Sequence, residues 1–199
     1  MGVWIATAVL ISLPVLGGVW VVATGRRQQR LRQAALDRFV GELGGDRTSG
    51  EHSTAEWVMP DGAKGQLSVD ERSTVLRLRT AAVQVRAAIA NEGSVDLACF
   101  SIPAPRADML DSGLIRRWSA STHKVFAESE AVAALLMTDE VLSAVGALSG
   151  IGLIPVEVVA SPGVVRVRTG YVPERVEGFQ DLLTAARAVQ RALGHESAR

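Results

Sequence analysis

Two pairs of arginines are the residues whose type and spacing point most directly to binding chemistry. Arg77 and Arg79 alternate with leucines in STVLRLRT, and Arg166 and Arg168 alternate with valines in GVVRVRT. Alternation along a strand places each pair on one face of a sheet, and neighbouring strands would join them into one patch. Guanidinium groups hold carboxylates and phosphates through paired, planar hydrogen bonds. The pattern predicts a docking patch for a partner or for lipid headgroups; an exposed face balanced by acids such as Glu157 is the alternative.

Parts of several catalytic motifs occur in this sequence, but no motif is complete. Ser121 and Lys124 fit the S-x-x-K pattern, yet the S-D-N and K-T-G elements that accompany such a serine nucleophile do not occur in the chain. Gly146, Gly150 and Gly152 have the wrong spacing for a loop that cradles phosphate. The sequence therefore predicts a protein that is not an enzyme and that carries no cofactor.

The histidines and the cysteine lack the spacing of a metal site. His52, His123 and His195 are isolated from one another in the sequence, whereas zinc-binding sequences show close His, Cys and carboxylate spacings. Cys99 lies in the apolar run LACFSI and is predicted to be a small buried hydrophobe. The histidines are predicted to be surface or structural residues, so no metal ligand is assigned.

Composition places the chain among folded proteins without a nucleic-acid partner. The 199 residues are 48% apolar and 21% charged, which excludes wholesale disorder. The 21 basic residues are balanced by 21 acidic ones, whereas nucleic-acid binders gain much of their affinity from positive charge. Length and composition together predict one domain, or one small domain with an appendage.

The appendage is an uncharged N-terminal segment. Residues 3–23 contain no ionisable side chain, and as a helix they would span about 32 Å, enough to cross the hydrocarbon layer of a membrane. Pro14, Gly17 and Gly18 lie within this segment and would let a neighbouring helix approach closely. We therefore predict a transmembrane helix over residues 1–25 that also contacts other membrane-protein subunits. A cleaved signal peptide is the alternative, although its apolar run is usually shorter.

Basic residues follow this segment and set its predicted orientation. Arg26, Arg27, Arg30 and Arg32 all precede the first acidic residue, Asp37. An excess of positive charge marks the cytoplasmic side of a span, which predicts an inner-membrane protein with its N-terminus outside and its C-terminal domain in the cytoplasm. The same four arginines are predicted to contact anionic lipid headgroups.

Two regions are predicted after the span: a basic juxtamembrane helix and linker over residues 26–45, and a cytoplasmic α+β domain over residues 46–199. An apolar stripe at spacings of three and four supports the juxtamembrane helix. The stripe consists of Leu31, Ala35, Phe39, Val40 and Leu43. The polar run DRTSGEHST is predicted to be a loop or flexible link.

Alternating and helical patterns predict a mainly antiparallel sheet packed with a C-terminal amphipathic helix. One hairpin is predicted from AEWVM to KGQLSVD, and another from IPVEVVA to GVVRVRT with its turn at Ser161, Pro162 and Gly163. Further strands are predicted at STVLRLRT, AVQVRAAI, SVDLACFSI and KVFAES. The helical segments are EAVAALLM, TDEVLSAVGAL and the run from Pro173 to Leu193.

This succession of elements resembles a known layout. The strand VFAES, the helices in AVAALLMTDEVLSAVGAL, the hairpin VEVVASPGVVRVR and the helix PERVEGFQDLLTAARAVQRAL follow one another in the chain. The order is similar to that of bacterial single-span membrane-anchored α+β domains of unknown function, over about residues 50–194. The resemblance implies a tethered interaction domain and supplies no catalytic residues.

The sequence thus predicts a non-enzymatic single-span accessory or scaffold subunit of a bacterial integral-membrane complex, with respiratory and photosynthetic complexes as hosts. Its predicted partners are other membrane-protein subunits and anionic lipids. The alternative is a membrane-tethered sensor or small-anion-binding module that uses the arginine pairs.

The predicted orientation is tested by reporters fused after Arg199. A fluorescent protein that matures only in the cytoplasm should be bright, and a phosphatase active only in the periplasm should be silent, because the arginines after the span retain the domain inside. The opposite pair of signals would reverse the orientation and support a signal peptide.

Overall fold

The computed structural model describes residues 24–48, 53–70, 73–91, 116–120, 123–149 and 156–194. The predicted span at 3–23, with Pro14, Gly17 and Gly18, lies outside these residues, as does the strand predicted at SVDLACFSI. In the described ranges, no single helix has the length and apolar character needed to span a membrane. One pair of helices, Glu130–Leu136 and Asp139–Leu148, meets both criteria when taken together, with a bend of 62° between them.

One antiparallel sheet organises the described part of the chain. Its order is β1-β2-β3-β4-β9-β8-β5-β7-β6, and every neighbouring pair is antiparallel. The strands are β1 Asp46–Thr48, β2 Ser53–Val58, β3 Lys64–Val69, β4 Thr74–Arg79, β5 Ala87–Asn91, β6 Arg116–Ala120, β7 His123–Ala127, β8 Val156–Ser161 and β9 Val164–Thr169. The prediction of an α+β domain with a mainly antiparallel sheet is confirmed.

The described helices contact the face of the sheet that carries its buried side chains. They are α1 (residues 24–42), α2 (Glu130–Leu136), α3 (Asp139–Ser149) and α4 (Val176–Gly194). The C-terminal helix α4 packs on β9, β4 and β8, while α2 packs on β7 and β5. The predicted apolar stripe of α4 is confirmed, since Phe179, Leu182 and Leu193 have no exposed surface. Below, this side of the sheet is called the helix face and the opposite side the outer face.

An aromatic cluster joins α1 to both the sheet and α4. The Phe39 ring meets the Trp57 ring edge-on at a centroid distance of 5.7 Å, and it stacks on the Phe179 ring at 5.6 Å. Phe39 is only 1% exposed. Leu31 was predicted to share this stripe, but it is 46% exposed, and Leu36 is buried instead. The burial therefore begins at Ala35, where α1 reaches the core.

Both predicted hairpins are present, and three neighbouring predictions need adjustment. The segment AVQVRAAI forms a strand only from Ala87, and residues 81–86 before it are irregular, with a turn at 81–82. The run predicted to be a polar loop contains the short edge strand β1. The strand β6 was not predicted at all; it pairs with β7 at the other edge of the sheet. These differences leave the central strands β4, β9 and β8 as expected.

A close approach between Trp57 and Gly65 fixes the β2–β3 hairpin. The two residues are opposite one another in the register, and a methyl group at Gly65 would overlap the Trp57 ring. The indole nitrogen of Trp57 donates to the sulfur of Met59 at 3.1 Å. Glycine at position 65 therefore leaves the space that the indole fills.

We expect Gly65→Ala to destabilise the fold by about 1–3 kcal/mol, because the added methyl overpacks a filled core. Gly146→Ala is the matched control, since its methyl would meet only His123 at 3.7 Å within helix α3. That variant should be neutral or stabilising by up to ~1 kcal/mol, the usual gain for alanine in a helix. Urea unfolding measures the change in unfolding free energy of each variant. Equal changes in the two variants would contradict the proposed packing.

Candidate functional site

The two arginine-bearing strands are neighbours at the centre of the sheet. In the β4–β9 register Arg77 lies directly opposite Arg166, Arg79 opposite Val164, and Arg168 opposite Val75. Directly opposed residues have Cα atoms about 4.5–5.5 Å apart. The two strands are therefore adjacent, as a single patch of four arginines requires.

The core packing forces these arginines onto the outer face. Leu76, Leu78, Val165 and Val167 alternate with them and are all completely buried on the helix face. Since side chains alternate across a strand, the residues between must point the other way. A one-residue slip of either strand would place arginines in the core. The register that builds the hydrophobic core thus also builds the arginine patch.

The patch is poorly compensated by acids. Arg77 donates to the side-chain oxygen of Gln66 at 3.5 Å, and Gln66 in turn donates to Glu56 at 2.9 Å. Glu157 lies opposite Arg168 in the register. Among the described residues, none of the four arginines forms an ion pair, and the buried Nε of Arg166 has no hydrogen-bond acceptor.

A groove of about 400 Å³ lies along the patch at the β8–β9 turn. Its walls are formed by Arg77, Arg79, Val159, Ser161, Pro162, Gly163, Val164 and Arg166. The turn residue Gly163 has φ +82°, a conformation that favours glycine. Backbone bonds of 2.9 Å from Gly163 N to Val83 O and from Thr80 N to Gly163 O fix the turn against the end of β4. The groove therefore has a fixed wall beside three cations, and we refer to it as the arginine groove.

The sequence predicted the arginines of this groove but not the residues that form its wall. The turn at 161–163 was predicted only as a hairpin connection, and Val159 and Val164 carry no chemical signal in the sequence. The strand pairing brings them together: Val159 lies opposite Arg166, and Ser161 opposite Val164.

The juxtamembrane arginines divide into two groups. Arg26, Arg27 and Arg30 are exposed on the first turns of α1. Arg32 pairs with Glu174 at 3.5 Å, beside the start of α4. Predicted contact with lipid headgroups remains a prediction for the exposed three, whereas Arg32 also has a partner within the protein.

A second groove, of about 500 Å³, is lined by residues that join α4 to the β2–β3 turn. Arg187 in α4 makes a two-pronged ion pair with Asp61 in the β2–β3 turn, with one contact at 3.1 Å. It also donates to Gln190 at 2.7 Å, which donates to Thr80 at 3.0 Å. Hydrogen bonding from Arg187 lowers the pKa of Asp61 from 3.8 to about 2. These polar groups satisfy one another and clamp the hairpin to the helix.

Of the three histidines, the structure describes only His123. His123 is 5% exposed, and burial lowers its pKa. His52, His195, Cys99 and Ser121 lie outside the described residues. No cluster of three or more His, Cys, Asp or Glu side chains suited to a metal ion occurs in the part of the chain that the structure describes.

Comparisons with known proteins give one structural likeness. No family model and no curated protein sequence matches the chain. The fold is similar to the crystal structure of the mycobacterial trehalose monomycolate transport factor A, TtfA, with a TM-score of 0.56 and 12% sequence identity. The match covers 84% of this chain and 95% of that chain. At this identity the likeness concerns the fold.

The likeness overturns the function predicted from sequence. The structural likeness is to a transport factor and not to a respiratory or photosynthetic subunit, so the prediction of such a subunit is wrong. That prediction rested on an anchor beside a domain without catalytic motifs, features that do not distinguish one membrane system from another.

The Asp61–Arg187 contact should make stability depend on acid pH. Because folding lowers the Asp61 pKa, the pair stabilises the fold above pH 3.8, and this contribution is lost as the pH falls towards 2. Both groups are partly exposed, so Asp61→Asn should cost no more than about 1 kcal/mol at pH 7. Denaturant unfolding at pH 7 and pH 2.5 measures the stability of the wild-type chain and of Asp61→Asn. A stability difference between them that does not shrink at pH 2.5 would contradict the prediction.

Proposed function

We propose that this chain is a non-catalytic, membrane-associated accessory factor of a lipid-transport system. The observation that carries the proposal is the fold shared with a transport factor over 84% of this chain. That protein is a transport factor for trehalose monomycolate, an acylated sugar. Because the two sequences share only 12% identity, we propose for this chain the general class of function, transport of an acylated envelope lipid, and not the same lipid.

The packing of helix α1 on the domain supports an accessory role. Helix α1 starts the described chain at residue 24, directly after the predicted span, and its second half is buried through Ala35, Leu36 and Phe39. At 1.5 Å per residue, its 19 residues extend about 28 Å. A span that continues into α1 would therefore hold the domain at a fixed orientation on the cytoplasmic surface.

The chemistry of the arginine groove supports docking over catalysis. Arginine guanidinium groups stay protonated at any physiological pH, so they cannot act as general bases or proton shuttles. The other polar side chain of the groove is Ser161, and no groove residue is a histidine or carboxylate that would activate it. A surface of this kind binds and orients a partner.

Deleting the gene from the bacterium that carries it should trap acylated lipid at the cytoplasmic membrane. Separated envelope fractions, analysed by mass spectrometry, should show a several-fold rise of one acylated sugar or related lipid in the inner fraction. Plasmid-borne full chain should reverse the rise, whereas a version in which residues 3–23 are replaced by a soluble leader should not. An unchanged lipid distribution in the deletion strain would overturn the proposal.

A further inference from the structure

Positive charge is concentrated on the centre of the outer face. Five of the outer-face positions of β3, β4 and β9 carry cations, and none of the outer-face positions on these strands carries an acid. The cations are Lys64, Arg77, Arg79, Arg166 and Arg168. The chain as a whole has 21 basic and 21 acidic residues. The centre of the outer face therefore carries an excess of positive charge, although the whole protein is neutral. Such a surface favours an anionic partner.

The central pair of this surface is unfavourable for the isolated fold. Arg77 and Arg166 are directly opposed, and like charges in that relation destabilise a sheet. Their flanking outer residues are Gln66 on one side and Val159 on the other, so neither arginine has an acid beside it. The acid of this row, Glu56, lies one strand beyond Gln66. The Nε of Arg166 is buried without an acceptor among the described residues. A bound anion would supply the missing charge and acceptor together.

The position of the groove argues against a bilayer as its occupant. The groove lies at the β8–β9 turn, at the end of the sheet reached by the C-terminal part of α4, where Gln190 donates to Thr80. Arg32 of the basic segment meets Glu174, which precedes the start of α4. The 19 residues of α4 separate the two ends by about 28 Å, several times the Debye length at physiological salt. A membrane at the basic segment would not reach the groove.

The shape and lining favour an extended acidic segment of a protein. The groove is open along the strands, and successive outer positions on one strand repeat at about 6.6 Å, the repeat of alternate side chains in an extended peptide. Carboxylates at such a spacing match the arginines that line it. The apolar walls Val159, Pro162 and Val164 would contact the aliphatic parts of the same segment.

We propose that the arginine groove binds an extended acidic segment of a partner protein, with Arg77 and Arg166 each holding a carboxylate. This inference deepens the proposed function, because it gives the chemistry by which an accessory factor would dock on its transport system. Arg79, which also lines the groove, adds attraction beside them.

The test measures binding of a fluorescent peptide, (Glu-Ser)₄, to the full chain in nanodiscs made of neutral lipid. Arg77→Gln and Arg166→Gln should each weaken binding by about tenfold or more, the usual effect of losing a charge-assisted hydrogen bond. Arg175→Gln removes the same charge from an exposed position beside the start of α4, and it should leave affinity unchanged. The peptide (Gln-Ser)₄ should not bind.

A stability measurement separates binding from a structural role. Because Arg166 faces a like charge, Arg166→Gln should keep or raise the unfolding temperature while binding is lost. A fall in both would show that Arg166 holds the fold, and the proposal would be wrong. An equal loss of affinity in Arg175→Gln would show bulk attraction only and would likewise overturn it.

Three further outcomes separate the groove inference from a lipid-binding groove and from the proposed function. If phosphatidylglycerol vesicles bind through Arg166 and the acidic peptide does not, a lipid headgroup is the occupant and the proposal fails. If the peptide binds as expected while the deletion strain exports lipid normally, the groove inference stands and the proposed function fails. Normal peptide binding to the Arg77→Gln, Arg166→Gln double variant contradicts the inference whatever the lipid assay gives.

Discussion

The contact on which the arrangement depends is the aromatic cluster of Phe39, Trp57 and Phe179. These three side chains belong to α1, β2 and α4, and the Phe39 ring lies 5.7 Å from the Trp57 ring and 5.6 Å from the Phe179 ring. Burying aromatic surface supplies more free energy than the exposed ion pairs between the same elements. Arg32–Glu174 and Glu42–Gln180 then set the angle of α1 on α4. Without the cluster, the basic end of α1 would have no fixed relation to the sheet.

The same packing divides the sheet into two faces with different tasks. Helices cover the face that carries Leu76, Leu78, Val165 and Val167, which sets the register of β4 on β9. That register leaves Arg77 opposite Arg166 on the other face. The opposition of two like charges, which is unfavourable for the sheet, is therefore maintained by the hydrophobic core behind it.

The elements that local pattern determines were predictable, and those that depend on distant pairing were not. The turn at Ser161, Pro162 and Gly163 and the stripe of α4 are encoded within a few residues. The opposition of Arg77 to Arg166 depends on β4 pairing with β9, which no local pattern specifies. The exposure of Leu31 depends on where α1 leaves the core, although its spacing matched that of Ala35. The strands β1 and β6 escaped prediction because edge strands need little apolar alternation.

The fold places its two basic surfaces at opposite ends of one rigid helix. The exposed arginines of α1 lie near the N-terminal end of α4, and the arginine groove lies at its C-terminal end. The Asp61–Arg187 ion pair and the Gln190–Thr80 hydrogen bond fasten that far end of α4 to the sheet. Because the connection is packed along its length, a segment held in the groove would stand at a set height above the anchored end. In the proposed accessory role, such a fixed separation would position a segment of a partner protein without any catalytic step.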